Sequence, residues 1–183
     1  MRLFTGLDLP DEVVRRLRTL LDHLQPTARI NWSPPENLHI TTKFIGEWPE
    51  ARLDELKSVL GGLPPRPPIP VHIRKVGFFP NPHAPRVFWC GIDSPELEAL
   101  AAATDRATET LGIPAEARAF SPHLTLARIK ERLNLQPLRE SIAALTSLDF
   151  GRFLADRFFL YQSRVGPRGS VYTKLAECKF SDQ

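Results

Sequence analysis

The sequence predicts an α+β fold with two pseudo-symmetric lobes, antiparallel sheets, helices on the outside and a cleft between the lobes. Three observations lead to this prediction. Strand-like and helix-like segments come in mixed order, several strands are joined by short turns, and a His-x-Thr motif occurs once in each half of the chain. Short turns favour antiparallel pairing, because parallel strands need long crossover connections. Residues 1–183 are therefore expected to form a single domain made of two lobes.

The first half reads as a β-α-β-β-α series. A strand is predicted for RLFTGLDL, and a helix for PDEVVRRLRTLLDHL, where Pro10 and two acidic residues mark the start and apolar residues recur at helical spacing. Two further strands are predicted for ARINWS and NLHITTKFIG, on either side of the turn SPPEN. The second helix is predicted for PEARLDELKSVLGG, closed by Gly61 and Gly62.

A proline-rich segment, LPPRPPIP, separates the two halves. It contains a P-x-x-P pattern that could bind a partner as a polyproline II helix. The basic and aromatic context typical of such ligands is thin, so the segment is interpreted as a loop.

The second half repeats the mixture of strands and helices. Strands are predicted for VHIRKVGFF and RVFWCGI around the turn PNPHAP, followed by the helix SPELEALAAATDRATETLG with Ser94 as N-cap and Pro95 at its first position. The strand HLTLARI and the short helix QPLRESIAAL come next. The last predicted pair of strands is RFLADRFFLYQSR and SVYTKLAECKF, around the loop VGPRG.

Composition places the chain among globular proteins. Of its 183 residues, 42% are apolar and 25% are charged, and no apolar run approaches the roughly 20 residues that a membrane helix needs. The start lacks the long apolar stretch and cleavage site of a secretory signal, and two distant cysteines, Cys90 and Cys178, suggest neither a disulfide framework nor a Cys-x-x-Cys site. We expect a cytoplasmic protein, and its net charge of +3 is compatible with an anionic substrate.

The two His-x-Thr motifs are the candidate functional residues. Residues two apart in a strand project to the same face, so His39 and Thr41 form one polar patch, and His123 and Thr125 form a second. Two such patches that face each other would make a site for acid-base chemistry. The alternative is that both histidines are structural residues of the core. The other three histidines have no threonine two residues later and are interpreted as surface or strand residues.

Three chemistries could use paired histidines. A metal site is disfavoured because no third ligand stands at a suitable spacing beside either motif, and a nucleophilic triad is disfavoured because no G-x-S-x-G occurs. The remaining chemistry has one histidine accepting a proton while the other donates one, as when one oxygen attacks phosphorus and another leaves. Threonine hydroxyls can donate to the non-bridging oxygens as negative charge builds there.

These residues resemble the 2H phosphoesterase superfamily, and within it the RNA 2′,3′-cyclic phosphodiesterases once named 2′-5′ RNA ligases. The resemblance covers most of the chain: it includes KFIG after the first motif, HLTLAR at the second, the opening RLFTGLDLP, the central RVFWCGI and the closing FLYQSRVGPRGSVYTKL. It implies a bilobal fold, no metal or organic cofactor, and hydrolysis of a terminal 2′,3′-cyclic phosphate to a 2′-phosphate. It also implies that His39 is the catalytic acid, that His123 is the base, and that Thr41 and Thr125 bind the phosphate.

Two more substrate-binding residues, Phe44 and Arg128, are predicted from the same resemblance. Each lies five residues after its histidine, a neighbourhood that in similar enzymes helps to hold the terminal nucleotide. Strict alternation would turn both side chains away from the histidine face, because the offset is odd. A bulge or a strand end would return them, and Gly46 indicates a bend near the first motif. Otherwise Phe44 is a core aromatic and Arg128 is a solvated strand end.

Two other functions are compatible with the sequence. The reverse displacement would make a 2′-5′ RNA ligase, although water at about 55 M favours hydrolysis unless an RNA hydroxyl is held at a high effective concentration. A non-catalytic RNA-binding module would need no histidine pair and carries a signature that the chain lacks. The expected partners are RNA ends or nucleoside 2′,3′-cyclic phosphates, and we expect a monomer that binds no membrane. Arg164 and Arg168 in the VGPRG loop could contact RNA, but a solvated turn is the favoured interpretation.

Overall fold

A computed structural model of the chain describes residues 1–181, which form two antiparallel β-sheets and four α-helices. The strands are β1 (Arg2–Leu7), β2 (Asn31–Trp32), β3 (Ile40–Glu47), β4 (Ile69–Phe79), β5 (Val87–Asp93), β6 (His123–Arg128), β7 (Asp149–Ala155), β8 (Arg157–Gly166) and β9 (Gly169–Lys179). The helices are α1 (Asp11–Leu24), α2 (Leu53–Gly61), α3 (Glu96–Glu109) and α4 (Gln136–Ala143).

The two sheets exchange strands between the halves of the chain. The first sheet has the order β3-β1-β8-β9 and the second has the order β2-β6-β5-β4-β7. The first half gives β2 to the second sheet, beside β6, and the second half gives β8 to the first sheet, beside β1. The predicted α+β fold with two antiparallel lobes is therefore confirmed, and the two lobes share both halves of the chain.

Helices α1 and α3 each pack against the sheet that does not contain the strand preceding them. Helix α1 follows β1 but packs against β7 of the second sheet, whereas α3 follows β5 but packs against β3 of the first. The buried face of α1 consists of residues at helical spacing: Val13, Leu17, Leu20, Leu21 and Leu24. These side chains and those under α3 belong to one contiguous apolar core that contacts both sheets. Burial of each such leucine contributes about 1.5–3 kcal/mol to folding.

No helix within residues 1–181 combines the length and the apolar character required to cross a bilayer.

The segment RFLADRFFLYQSR forms two strands, so its prediction as a single strand is wrong. Strand β7 ends at Ala155 and pairs with β4, whereas β8 begins at Arg157 and pairs with β1. The chain passes from one sheet to the other at Asp156, whose carbonyl accepts a hydrogen bond from the backbone N–H of Phe180 (2.7 Å). Apolar alternation is similar in both strands, so periodicity does not reveal a change of sheet.

The predicted side-chain cap of α3 is also wrong. The hydroxyl of Ser94 donates to the carbonyl oxygen of Pro70 (2.6 Å), and no side chain caps the helix. Ser94 is buried against β4, and a buried hydroxyl requires a hydrogen-bond partner, which this carbonyl supplies. The proline-rich loop is shorter than predicted, because Ile69 and Pro70 already belong to β4.

Candidate active site

The two histidine-bearing strands lie next to each other where the sheets meet. Strand β3 is an edge strand of the first sheet, β6 lies beside the short edge strand β2 of the second, and β3 and β6 approach each other to within 8 Å between Cα atoms. Immediately after β2, Ser33 donates from its backbone N–H to the carbonyl of Leu126 (2.9 Å) and from its hydroxyl to the carbonyl of Thr125 (2.7 Å). A single 3₁₀ turn then leads to His39. The chain therefore connects one histidine strand directly to the other.

Both imidazoles are held by the same backbone contact. The Nδ1 atom of His39 lies 2.7 Å from the carbonyl oxygen of Asn37, and Nδ1 of His123 lies 2.8 Å from the carbonyl oxygen of Ser121. A carbonyl oxygen only accepts hydrogen bonds, so Nδ1 must carry the proton in each ring. The Nε2 atom of each ring is thereby left as the one that can accept or release a proton.

Aromatic rings surround His39. Its ring centroid lies 4.7 Å from that of Phe4, 4.9 Å from that of Tyr172 and 5.9 Å from that of Tyr161. Burial among these rings lowers the pKa of His39, and the hydrogen bond to Asn37, which acts in the opposite direction, is the weaker effect. His39 is therefore mainly neutral near pH 7 in the unliganded protein.

The ring of His123 has a different neighbour. Phe79 of β4 contacts it edge-on, with centroids 5.3 Å apart, and Trp89 of β5 packs on Phe79 at 5.2 Å. Trp89 also lies over Gly77, where any side chain would collide with the indole ring. The two sequence motifs are nearly identical, but the two histidines sit in different surroundings.

A bulge at Thr42 turns Phe44 onto the histidine face. Thr41 pairs with Gly6 and Phe44 pairs with Phe4, so two residues of β3 stand opposite a single residue of β1. Because of this extra residue, Phe44 projects to the same face as His39, whereas strict alternation would place it on the opposite face. Accordingly, the ring of Phe44 lies 6.4 Å from that of Phe4, which also contacts His39, and 65% of Phe44 is exposed.

Strand β6 contains the same bulge at the same distance from its histidine. Thr125 pairs with Trp89 and Arg128 pairs with Val87, which leaves Leu126 as the extra residue. Arg128 therefore lies on the face of Thr125 and is exposed. The bulge that the sequence analysis requires for Phe44 and Arg128 is present three residues after each histidine, and the register of β3 shifts a second time beside Gly46, as the predicted bend suggests. The substrate-binding roles of Phe44 and Arg128 remain predictions, as do the roles of the two histidines and two threonines.

A partly buried ion pair that involves β3 had no signal in the sequence. The ammonium of Lys43, whose side chain is 4% exposed, pairs with the carboxylate of Asp105 in α3 and donates to the carbonyl of Pro114 (2.7 Å). The backbone N–H of Glu116 also donates to Asp105 (3.1 Å). Burial alone would raise the pKa of Asp105, but the hydrogen bonds from Lys43 and Glu116 outweigh it and lower that pKa.

The sequence does not predict the role of Asn37 in positioning His39, because part of that role belongs to its backbone carbonyl. Its carbonyl accepts from His39, and its side-chain amide donates to the carbonyl of Ser170 at the start of β9 (2.7 Å). The turn before His39 is thus fixed to the far edge of the first sheet. No residue pattern distinguishes such an asparagine from one in an ordinary turn.

Other reactive groups lie apart from this arrangement. Within residues 1–181, no group of three or more His, Cys, Asp or Glu side chains is placed to hold a metal ion. Cys90 is buried, and burial raises the pKa of its thiol to about 12. A thiol with this pKa is protonated at neutral pH and is a poor nucleophile.

Comparisons with known proteins identify relatives that match nearly the whole chain. A family model described as LigT like Phosphoesterase matches residues 7–89 and 91–172. An RNA 2′,3′-cyclic phosphodiesterase from Methanocaldococcus jannaschii is 32% identical over 177 residues, which cover 97% of this chain and 99% of that protein. One from Archaeoglobus fulgidus is 33% identical over 176 residues, with 96% and 98% covered.

Solved structures with a similar fold include a protein of Thermus thermophilus, with a TM-score of 0.84 and 29% identity over 98% of both chains. The E. coli LigT structure complexed with 3′-AMP has a TM-score of 0.79 and 25% identity, and the match covers 99% of this chain and 98% of that one.

Proposed function

The chain belongs to the LigT-like phosphoesterase family, and on that premise we propose that it is an RNA 2′,3′-cyclic phosphodiesterase with a metal-independent two-histidine mechanism. The observation that supports the mechanism most is the matched pair of hydrogen bonds to the Nδ1 atoms of His39 and His123. Both bonds fix the tautomer that presents Nε2 for proton transfer. The relatives from M. jannaschii and A. fulgidus, named for this activity, support the substrate class.

The proposed reaction opens the cyclic phosphate in one displacement. Water attacks phosphorus and gives its proton to Nε2 of His123, which acts as the base. The bond between phosphorus and the 3′-oxygen breaks on the opposite side, and that oxygen takes a proton from Nε2 of His39, the acid. The products are a 2′-phosphate and a 3′-hydroxyl, and proton exchange with solvent restores both imidazoles. Such general acid-base catalysis is typically worth about 10²–10⁴ for each group.

The charge that develops on the phosphate needs stabilisation. In the proposal, the hydroxyls of Thr41 and Thr125 donate to the two non-bridging oxygens, each threonine lying on the same strand face as its histidine. The guanidinium of Arg128 adds positive charge on the β6 side. The exposed ring of Phe44 offers a surface on which the terminal base can stack.

The acid role of His39 requires a protonated ring, although burial lowers its pKa in the free protein. The bound substrate resolves this requirement, because a phosphate anion beside Nε2 favours the charged imidazolium and raises the pKa. We therefore propose that His39 takes up its proton as the substrate binds.

The direct test uses adenosine 2′,3′-cyclic phosphate in the presence of EDTA, with the product identified by ³¹P NMR. We expect the 2′-monophosphate from the wild-type protein and a loss of more than about 100-fold in turnover for His39→Ala and for His123→Ala. His83→Ala, a change in an exposed loop, is the matched control and should leave turnover unchanged. Full activity in a folded variant of either motif would exclude the mechanism, and formation of the 3′-monophosphate would exclude the proposed leaving group.

A competing activity, ligation, is tested in the same reaction by adding an RNA with a free 5′-hydroxyl. Because water is present at about 55 M, we expect hydrolysis to dominate at micromolar RNA. A joined product that exceeds the hydrolysed one would favour the ligase.

A further inference from the structure

We propose that exposed cations at the end of β6 bind the phosphates of the RNA strand that precedes the terminal nucleotide. The cluster, here called the basic track, consists of Arg29, Arg86, Arg128, Lys130 and Arg132. This inference rests on the proposed function, because it describes how the same site would take a polynucleotide instead of a mononucleotide.

Three segments of the chain bring the basic track together. Arg128 pairs with Asn31 on one side and with Val87 on the other, which places the residues preceding β2 and β5 beside the end of β6. The guanidinium of Arg86 donates to the carbonyl of Lys130 (3.0 Å), and the backbone N–H of Ile129 donates to the carbonyl of Arg86 (2.9 Å). The cations are therefore held on ordered backbone next to the sheet.

The charges of the basic track are not neutralised by the protein. All five side chains are exposed, and none of them forms an ion pair with another residue of the described chain. Between Arg128 and Arg132 the sequence holds a single carboxylate, Glu131.

The equivalent end of the other histidine strand offers no such cluster. Strand β3 ends at Glu47, and Glu50 follows in the next turn. The guanidinium of Arg52, two residues later, is paired with Glu55 (2.6 Å). A polyanion that leaves the site is therefore attracted along β6 and not along β3. This asymmetry in charge determines the direction in which the RNA strand leaves the site. The two nearly identical histidine motifs do not determine it.

Distance separates Lys130 and Arg132, the outer cations of the basic track, from the reacting phosphate. His123 stands opposite Gly91 and Arg128 stands opposite Val87, four residues away along β5, which corresponds to about 13 Å at about 3.3 Å per residue. Lys130 and Arg132 lie beyond it. A cyclic mononucleotide has no phosphate that reaches so far, whereas an oligonucleotide does. The outer cations should therefore affect only the longer substrate.

The test compares two substrates with one triple variant, Arg86→Gln/Lys130→Gln/Arg132→Gln, which leaves Arg128 in place. The substrates are adenosine 2′,3′-cyclic phosphate and a ten-nucleotide RNA that ends in a 2′,3′-cyclic phosphate. At low salt we expect kcat/KM for the RNA to fall at least tenfold and kcat/KM for the mononucleotide to stay within twofold. The slope of log kcat/KM against log salt should also decrease by about 2, since each phosphate contact on a single strand contributes about 0.7.

The matched control, Arg15→Gln/Lys57→Gln/Arg106→Gln, removes the same charge from the surfaces of three helices. It should leave both substrates within twofold. Equal losses in control and test variants, an equal loss for both substrates, or no loss at all would each overturn the basic track. If kcat/KM for the RNA falls in Arg164→Gln/Arg168→Gln and not in the triple variant, the RNA binds at the β8–β9 turn instead.

Failure of the proposed function can be recognised separately. If the wild-type protein hydrolyses neither substrate, the phosphodiesterase assignment fails. Fluorescence anisotropy with the same ten-nucleotide RNA then still tests the basic track, because the triple variant should bind it at least tenfold more weakly than the control variant.

Discussion

The buried ammonium of Lys43 in β3 and the partly buried carboxylate of Asp105 in α3 form an ion pair. Lys43 lies in β3, four residues after His39, and Asp105 also binds the backbone of the segment that leads to His123. The pair therefore fixes the position of β3 relative to the segment that precedes His123.

Asp105→Asn should destabilise the protein by about 3 kcal/mol, because it leaves the ammonium of Lys43 buried without a counter-charge. Urea unfolding at pH 7 measures the change. The control is Glu12→Gln, which removes an exposed partner of Arg16 and should cost about 0.5 kcal/mol or less. A change below about 1 kcal/mol for Asp105→Asn would show that the pair contributes little to stability.

Binding of an anion at the site should become tighter as the pH falls, since the pKa of His39 is lowered in the free protein and raised by the bound anion. Between these two pKa values, binding takes up a proton, and the affinity rises as the solution becomes more acidic. Sulfate is a suitable probe because it does not titrate in this range. Calorimetry from pH 8 to pH 5 should show this rise in the wild type and in His83→Ala.

In His39→Ala the slope of log Kd for sulfate against pH should decrease by up to one, because binding takes up one proton fewer. An unchanged dependence in this variant would mean that His39 does not meet the anion. NMR titration of the ring protons gives an independent check, with a free pKa of His39 below its reference value of about 6.5.

The acid and the base can be distinguished by the leaving group. A p-nitrophenyl phosphodiester releases an anion that needs no proton, so His39→Ala should recover much of its lost rate on this substrate. His123→Ala should not recover, because the attacking water still requires a base. Recovery in the second variant and not in the first would exchange the two roles.

Gly6→Ala should damage the site from its neighbouring strand. A methyl group at this position would lie 2.6 Å from the carbonyl oxygen of Ile40, so β3 would have to move next to Thr41. We expect a destabilisation of about 1–3 kcal/mol, from overpacking, together with a loss of activity. Gly61→Ala has open space around it at the end of α2 and should be neutral or slightly stabilising. Wild-type activity in Gly6→Ala would contradict the close approach of the two strands.

The sequence by itself determined most of the elements and the candidate residues. Helical spacing in α1 and the alternation around His39 and His123 depend on contacts between neighbours in the chain, and such local patterns can be recognised without knowledge of the fold. Glycines closed α2 as predicted, and the two His-x-Thr motifs were recognised because each places a ring and a hydroxyl on one strand face.

Only the tertiary structure decided which residues share the histidine face and how the two histidines differ. Whether a strand carries a bulge depends on its partner, and the extra residues at Thr42 and Leu126 exist only relative to β1 and β5. In the same way, the aromatic rings that bury His39 come from strands β1, β8 and β9, of which β8 and β9 lie far away in the chain. Burial and pairing are properties of contacts between distant segments, and a local pattern in the sequence does not contain them.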